Sequence, residues 1–188
     1  HSFPTRRSSD LVVLAPTSKD EYLAMLDWSV DQKEHPVMIL IPGNQVTYRE
    51  ADKDFNRLNH FKVEEAGEKV AILALGDFYQ RGEQLSAKIK AELGFTPTLI
   101  NPRFASGIDK ELLESLSERH QMVITMEDGI LSGGFGEKIA SFYGSSDMKV
   151  KNYGLDKKFY DRYDPNELLK EVGMTPAQII ADICNQLK

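Results

Sequence analysis

Short apolar runs bounded by turn residues recur along the chain and alternate with segments of helical spacing. The clearest runs are LVVLA at residues 11–15, PVMILI at 36–41, VAILAL at 70–75 and MVITM at 122–126. Runs of this length, rich in β-branched side chains, are typical of strands buried on both faces of a parallel sheet. Leucines and isoleucines spaced by three or four lie between them and predict amphipathic helices. The pattern therefore predicts an α/β protein.

The first two runs enclose one predicted helix. Ser18 and Glu21 have the S-x-x-E spacing of a capping box. The predicted apolar face of the helix consists of Tyr22, Leu23, Met25, Leu26 and Val30. Strand, helix and strand in about thirty residues predict a βαβ unit with a right-handed crossover. Such a unit is too small to fold alone, so we expect residues 11–43 to be the end of a larger domain.

A second domain is predicted over residues 60–188, after a polar linker at 44–59. It should begin with a hairpin of residues 60–63 and 70–75 around Ala66-Gly67. The next predicted elements are a helix with Leu85, Ile89 and Leu93 inward, a strand at 96–100, a helix at 109–119, the strand at 122–126, a helix at 135–143 and a strand at 148–153. Two capped helices follow, starting at Asp164 and Thr175 and separated by Gly173. This order predicts a three-layer α/β/α domain with a mostly parallel sheet.

A glycine-rich turn follows the strand at 122–126. We predict that Glu127 and Asp128 end this strand, that Gly129 turns the chain, and that Gly133, Gly134 and Gly136 open the next helix. A helix start offers free N–H groups to an anion. Neither G-x-x-x-x-G-K-[ST] nor G-x-G-x-x-G fits residues 133–138, however. The alternative is that the glycines permit positive φ and close packing of the turn.

Composition excludes several classes of function. The net charge of −6, without a basic stripe, argues against nucleic-acid binding. No apolar run approaches the ~20 residues of a membrane span. The single cysteine, Cys184, lies on an apolar helix face with Ile180 and Ile183, which indicates a structural thiol and a reducing compartment such as the cytoplasm.

Local catalytic and metal motifs are missing from the sequence. The four histidines are far apart, and none has a second ligand-type residue at a metal-binding spacing. There is no G-x-S-x-G motif. The sequence therefore predicts no self-contained catalytic site.

The first eleven residues, HSFPTRRSSDL, differ from the rest. They resemble the in-frame translation of a sequencing-library adapter, and a natural flexible arm is the alternative. A targeting signal is excluded because the apolar stretch after Arg6 and Arg7 is too short. We therefore treat residues 1–10 as a non-native or disordered arm.

Four longer stretches follow the order and spacing of one enzyme family. They are GEKVAILALG at 67–76, NPRFASGIDKELL at 101–113, TMEDGILSGGFG at 125–136 and YGLDKKFYDRYDPNELLKEVGMTPAQI at 153–179. Together they resemble the 1-deoxy-D-xylulose-5-phosphate synthases, thiamine-diphosphate enzymes of the transketolase superfamily. The first stretch and the glycine turn are shared with transketolases and pyruvate dehydrogenase beta-type subunits. The last stretch is nearer to the synthases.

This resemblance implies a parent enzyme with three domains. The present chain would contain the last domain and the end of the middle domain, which is the pyrimidine-binding domain. The family condenses pyruvate with glyceraldehyde 3-phosphate, with loss of carbon dioxide, to feed isoprenoid and thiamine precursors. Its thiamine diphosphate and Mg²⁺ are held by the preceding parts of the enzyme. We therefore expect no catalytic, cofactor or metal residue in this chain. The implied partners are the missing N-terminal and pyrimidine-binding domains and, in the parent, a second copy in a cytoplasmic homodimer.

One departure from the family concerns its acceptor substrate. Where the family has an arginine-tyrosine-proline-arginine-glycine run, this chain reads LIPGN at residues 40–44. The resemblance implies that the second arginine holds the acceptor phosphate, and Gly43 stands in its place. Either Arg49 in the adjacent loop takes over or the acceptor differs. The alternatives are therefore a transketolase-like or pyruvate dehydrogenase beta-type subunit with another acceptor, and a free-standing interaction module that docks on a separate catalytic subunit.

Three further polar residues match the family pattern: Arg103, Asp109 and Glu127. Arg103 and Glu127 lie at predicted strand ends, and Asp109 is placed to cap its helix. We expect all three residues to have a structural role, in a salt bridge or in a contact between domains.

Overall fold

The computed structural model describes residues 10–41, 43 and 47–187. Most of the predicted amino-terminal arm, Pro42 and the first residues of the predicted linker lie outside this range. The described elements form a small unit and a main sheet with its helices.

The small unit consists of strand β1 (Val12–Leu14), helix α1 (Lys19–Asp31) and strand β2 (Val37–Ile39). β1 and β2 pair in parallel, with Val12 opposite Val37, which confirms the predicted strand-helix-strand order. Ser18 caps α1 and accepts a hydrogen bond from the Glu21 N–H.

Within the described ranges, the main sheet is flanked by five helices. Its strands are β3 (Lys62–Glu65), β4 (Lys69–Ala74), β5 (Thr98–Asn101), β6 (His120–Ile130) and β7 (Lys149–Leu155). The helices are α2 (Tyr79–Leu93), α3 (Lys110–Leu116), α4 (Phe135–Tyr143), α5 (Pro165–Glu171) and α6 (Pro176–Gln186). Asp164 and Thr175 cap α5 and α6 as predicted, and Gly173 between them has φ +73°.

The strand order is β3-β5-β4-β6-β7. β4, β5, β6 and β7 are parallel, and β3 is an antiparallel edge strand. The predicted hairpin between β3 and β4 is wrong, because β5 lies between them. The turn joining β3 to β4 crosses the start of β5, where the Gly67 N–H donates to Thr98 Oγ1 (2.8 Å) and a Cβ on Gly67 would lie 2.1 Å from the Thr96 carbonyl oxygen.

β6 is longer than predicted. It continues past Met126 to Ile130, and its register with β7 shifts between these two residues before Ile130 pairs with Leu155. Glu127 and Asp128 therefore do not end the strand but lie in its irregular part. Such a bulge re-aims side chains, and here Glu127 turns toward α4.

Alternating residues of β4 pack into two separate hydrophobic cores, one on each face of the sheet. Val70, Ile72 and Ala74 pack with α2 and α6 on one face. Ala71 and Leu73 pack with α3 and α4 on the other. This alternation follows from the period of two along a strand, and it confirms the three-layer α/β/α architecture. Cys184, on α6, is partly buried against the first of these cores.

A third core belongs to the small unit but is shared. Val12, Leu14 and Met25 pack with Phe55, from the predicted linker, and with Phe104, which follows β5. β1 is also tied to the loop after β5, because the Ala15 N–H donates to the Arg103 carbonyl and the Ala105 N–H to the Val13 carbonyl, both at 2.8 Å. The polar composition of the linker did not indicate that the Phe55 ring would be buried.

The predicted inward face of α1 is largely exposed. Met25 is fully buried, whereas Leu23, Leu26 and Val30 are 43%, 38% and 72% exposed. This side of the small unit lacks a covering layer within the described residues.

Candidate functional site

Glu127 caps the helix that follows the glycine-rich turn. Its side chain is buried, and its two carboxylate oxygens accept hydrogen bonds from the backbone N–H groups of Phe135 (2.9 Å) and Gly136 (2.8 Å). The N-cap residue of α4, Gly134, has no side chain to do this. A carboxylate is stabilised by free N–H groups and the dipole at a helix start. The groups that could bind an external anion are therefore occupied by the chain itself.

Two of the glycines in this turn allow close approach. A Cβ on Gly134 would lie 2.7 Å from a Glu127 carboxylate oxygen, and one on Gly136 would lie 2.5 Å from Thr125 Oγ1. Gly133 instead has φ +78°, which favours glycine. The geometry thus supports the packing interpretation of the turn rather than the anion-site interpretation.

A cleft of about 790 Å³ lies between the small unit and the carboxyl ends of β4 and β6. Its small-unit wall includes Ala15, Leu40 and Gly43, and the opposite wall includes Asp77 and Asp128. Ligands of open α/β sheets bind at this edge. The cleft, defined by these two walls, is the candidate site.

Carboxylates dominate the charges of the cleft. Partial burial and the neighbouring Asp77 carboxylate raise the pKa of Asp128, whereas Arg81 acts in the opposite direction. Asp77 Oδ2 accepts a hydrogen bond from the Gly43 N–H at 3.1 Å. The Lys138 ammonium group lines the same cleft but donates to the carbonyl oxygens of Ala105 (2.7 Å) and Ser106 (3.4 Å).

Arg103 ties the predicted linker to the main sheet. Its side chain is buried, with Nε and one terminal nitrogen donating to the His60 carbonyl oxygen at 3.1 and 2.7 Å. The guanidinium carbon also lies 5.5 Å from the centre of the Phe55 ring. Arg103 has φ +60°, a strained value for a residue with a side chain. Because its own carbonyl binds Ala15, Arg103 contacts the small unit, the linker and the main sheet.

Asp109 joins two elements of the main domain. Its Oδ1 accepts the Leu112 N–H at the start of α3 (3.1 Å), as a helix cap does. Its Oδ2 accepts the Phe61 N–H (2.9 Å) and lies 2.8 Å from His60 Nδ1. The residue therefore holds the end of the linker against α3.

Arg49 lies away from the cleft. Its guanidinium group forms an ion pair with Glu83 at 2.8 Å and stacks 4.5 Å from the centre of the Tyr79 ring. It lines a separate pocket with Glu64 and Glu65, whereas Gly43 lines the cleft. The structure thus does not bring Arg49 and Gly43 into one site.

Sequence reasoning missed a buried polar contact between the two units. The Glu21 carboxylate accepts hydrogen bonds from the Thr17 N–H (2.7 Å) and from Asn101 Nδ2 (3.0 Å). The predicted capping box at α1 is therefore half formed, because Glu21 does not return to the Ser18 N–H. No spacing rule links Glu21 to a residue eighty positions later, so the contact had no local signal.

The described residues do not fit a diphosphate and its metal. The N–H groups at the start of α4 are taken by Glu127. Nor does the described part of the chain bring three His, Cys, Asp or Glu side chains together as a metal site. Among the same residues, no helix combines the length and apolar character needed to cross a bilayer.

A mostly parallel sheet between two helical layers, with a cleft at its carboxyl edge, defines a three-layer α/β domain. A solved structure described as "Split gene transketolase, inactive beta4 tetramer" shares this fold, with a TM-score of 0.82 at 22% identity, covering 95% of this chain and 58% of that one. The family "Transketolase, C-terminal domain" matches residues 59–179. The chain belongs to this family.

Several curated relatives of this chain are 1-deoxy-D-xylulose-5-phosphate synthases. The 1-deoxy-D-xylulose-5-phosphate synthase of Shouchella clausii (strain KSM-K16) is 30% identical over 186 residues, which cover 97% of this chain and 30% of the relative. That of Synechococcus sp. (strain JA-2-3B'a(2-13)) is 31% identical over 175 residues, covering 90% and 27%. The chain therefore spans about 30% of the length of the relatives it matches, and these comparisons confirm the resemblance seen in the sequence.

Proposed function

We propose that this chain is the carboxyl-terminal part of a thiamine-diphosphate-dependent enzyme related to the 1-deoxy-D-xylulose-5-phosphate synthases. The parent enzyme would condense pyruvate with glyceraldehyde 3-phosphate and release carbon dioxide. The alternative is a transketolase-like or pyruvate dehydrogenase beta-type enzyme with another acceptor, because Gly43 stands where the synthases have an arginine. This chain would supply interdomain and dimer surface rather than reacting groups. The similarity to the synthases over nearly the whole chain supports this proposal.

The edge strands of the main sheet are protected from pairing with another strand, whereas the edge strand β2 of the small unit is not. This difference supports the proposed interdomain role. The outer strands of the main sheet, β3 and β7, bear charged residues such as Lys62, Glu64, Lys149 and Lys151, and β3 has a register shift. These features protect a sheet edge from pairing with another strand. β2 has the sequence VMI, without a charge, and within the described ranges it pairs with β1 alone. Its other edge is suited to accept a further strand.

Exposed apolar side chains surround this open edge. Met38, Leu40 and Ile41 are 50%, 44% and 74% exposed, beside the exposed Leu23 and Val30 of α1. A cluster of large apolar side chains on a surface marks an interaction site. We assign it to the preceding part of the pyrimidine-binding domain, which would complete the sheet and cover α1.

In the parent, thiamine diphosphate and Mg²⁺ would be held by the preceding domains, because the residues described here do not fit them. The cofactor supplies the carbanion chemistry when it is bound there, and the protein orients it. We also propose a homodimeric, cytoplasmic parent.

The test is to supply this chain in trans to the separately expressed upstream part of the parent. We expect the two parts to associate and to release carbon dioxide from pyruvate when thiamine diphosphate is present. Met38→Glu, on the open β2 edge, should weaken association at least tenfold, since it places a charge where a strand must pair. The matched control is Val63→Glu, because Val63 is 40% exposed on the protected β3 edge. Equal effects of both variants, or no pyruvate-dependent release, would contradict the proposal.

A second candidate is a separately encoded subunit that docks on a catalytic partner. The solved structure with the same fold is described as a split gene transketolase, which favours this possibility. Sequencing the DNA immediately upstream of the Leu11 codon distinguishes a single-chain enzyme from a separately encoded subunit. A continuous frame encoding the rest of the middle domain supports a single chain, whereas a start codon near Leu11 supports a subunit.

A further inference from the structure

A polar pocket of about 450 Å³ lies between the predicted linker, β3 and α2. Arg49 of the linker, Glu64 and Glu65 of β3 and one face of α2 form its walls. It shares no lining residue with the cleft. Its volume is in the range of pockets that hold small molecules, so we asked which ligand its side chains could bind.

Tyr79 brings an unpartnered hydroxyl group to this pocket. The residue is 3% exposed and lines the pocket. Among the described residues its hydroxyl group has no hydrogen-bond partner, yet it is not sealed from solvent, since Arg49 Nη1 is the only sealed side-chain atom there without a partner. Burial raises the pKa of Tyr79, and the Glu64 and Glu83 carboxylates raise it further. The hydroxyl group therefore stays protonated, although a buried phenol normally has a partner.

The Arg49 guanidinium group is only partly engaged. Its Nη2 donates to Glu83 at 2.8 Å, and the group stacks 4.5 Å from the centre of the Tyr79 ring. Its Nη1 is buried without a hydrogen-bond partner in the described part of the chain. An unpartnered buried N–H group is unfavourable, and a small rotation toward the pocket would give Nη1 an acceptor on a ligand. Tyr79 and Arg49 are thus two adjacent donors without an acceptor.

Acceptors and an apolar contact come from the other walls. Glu65 accepts from the Ser86 hydroxyl group at 3.1 Å, and a carboxylate can accept several hydrogen bonds. Leu99 adds an apolar side chain to the lining. A ligand in this pocket would therefore meet donors, acceptors and one apolar surface.

The charges around the pocket balance one another. Each carboxylate on its walls has a cationic side chain beside it or on the same pocket wall. These are Arg49 with Glu83 at 2.8 Å, Lys62 with Glu64 at 3.2 Å, and Lys90 on the same wall as Glu65. The pocket therefore favours a ligand without net charge.

We propose that this pocket binds a small uncharged polyol, such as a monosaccharide. Each hydroxyl group of a polyol is both a donor and an acceptor, so it can accept from Tyr79 or Arg49 and donate to Glu65. The C–H groups of the same molecule can pack on Leu99. The inference concerns this pocket alone and does not rest on the proposed function.

The test uses the whole chain and D-glucose as the probe. The backbone amide NMR signals of Ser86 and Ala87 are followed while glucose is added to about 50 mM, which detects a millimolar dissociation constant. We expect saturable shifts. Glycine and inorganic phosphate are titrated separately as a zwitterion and an anion. No saturable shift with glucose, or tighter binding of glycine or phosphate, would overturn the proposal.

Tyr79→Phe tests the role of the unpartnered hydroxyl group. It keeps the ring beside Arg49, so it should weaken glucose binding at least threefold, as expected for one lost hydrogen bond. Tm should not fall, because the hydroxyl group has no partner among the described residues.

The matched control is Tyr143→Phe. The Tyr143 hydroxyl group donates to the Leu113 carbonyl oxygen at 2.6 Å, so this variant should lower Tm and leave glucose affinity unchanged. Equal glucose affinity of Tyr79→Phe and the wild-type protein would overturn the proposal, since binding would then not involve the pocket hydroxyl group. An equal loss of affinity in both variants would also overturn it.

Discussion

The Glu127 carboxylate lies 2.8 Å from the backbone nitrogen of Gly136, nine positions later in the chain. This contact fixes the irregular part of β6 against the start of α4. It depends on the absence of a side chain at Gly134 and Gly136, where a Cβ would collide with the carboxylate or with Thr125. An acid and two glycines thus act together as one structural device.

Removing this carboxylate should destabilise the domain. We expect Glu127→Ala to lower the free energy of unfolding by about 3 kcal/mol, because two charge-assisted hydrogen bonds are lost and two buried N–H groups are left without partners. Glu127→Gln should cost about half as much, since one acceptor oxygen remains. Urea denaturation measures both values. The exposed Glu118→Ala is the control, and a loss of less than about 0.5 kcal/mol for Glu127→Ala would contradict the assigned role.

Asp128 should oppose folding at neutral pH. Its raised pKa means that the folded state binds a proton more readily than the unfolded state, so its contribution to stability falls as pH rises above 3.8. Asp128→Asn should therefore raise Tm at pH 7, with a gain below about 1 kcal/mol because the side chain is partly solvated. The gain should vanish below pH 3.8. Thermal melts across this range test the prediction, with the exposed Asp147→Asn as control.

His120 should make folding sensitive to mild acid. Burial lowers its pKa below 6.5, with a smaller lowering from Arg119, although the hydrogen bond to the Leu116 carbonyl acts against this. Because that carbonyl can only accept, Nδ1 carries the proton and Nε2 accepts from the Thr98 hydroxyl at 2.8 Å. Stability should be complete above pH 6.5 and decline as the pH falls below it, since the unfolded chain then binds the extra proton.

The His120→Gln variant provides the measurement for this prediction. It should lose the pH dependence of the unfolding free energy that the wild-type protein shows just below pH 6.5, whereas His35→Gln should keep it. An unchanged dependence in His120→Gln would assign the effect to other groups.

The contact between Glu21 and Asn101 should couple the small unit to the main sheet. A double-mutant cycle with Glu21→Ala and Asn101→Ala should give a coupling energy of about 1–2 kcal/mol, as expected for a buried hydrogen bond to a charged group. The surface pair Lys88–Glu92, at 3.9 Å, is the control and should give less than about 0.5 kcal/mol. Similar values for both pairs would mean that burial adds nothing to the contact between Glu21 and Asn101.

Arg49 should contribute to stability and not to acceptor binding. Arg49→Ala removes a partly exposed ion pair with Glu83, so the unfolding free energy should fall by less than about 1 kcal/mol. In the parent enzyme, KM for the acceptor should not change. A several-fold rise in KM would instead support a role for Arg49 in binding the substrate.

The sequence predicted features that arise from periodicity, but not those that arise from the order of strands in space. The buried strand predicted at residues 70–75, the caps at Asp164 and Thr175 and the helix from Phe135 to Tyr143 follow local rules and are confirmed. The pairing of β3 with β5 has no local signal, because adjacent strands joined by a turn also satisfy hairpin rules.

The same limit applies to the candidate site. Glu127 and the glycines could be selected from the sequence because they lie within ten positions of one another. The cleft could not be predicted from the sequence, because Gly43, Asp77 and Asp128 are brought together only by the packing of the small unit against the main sheet. The engagement of Arg103 by the His60 carbonyl also depends on tertiary packing alone.

The burial of Phe104 among the residues of the small unit has an evolutionary consequence. This ring comes from the main domain, yet it completes a core with Val12, Leu14 and Met25. A recombination event or gene break within the linker would separate Phe104 from this core. The core of the small unit would then be incomplete, and the Phe104 ring would be exposed on the main domain. In recombined genes that still encode a folded protein, the small unit and the main domain should therefore be inherited together, with the breakpoint upstream of β1.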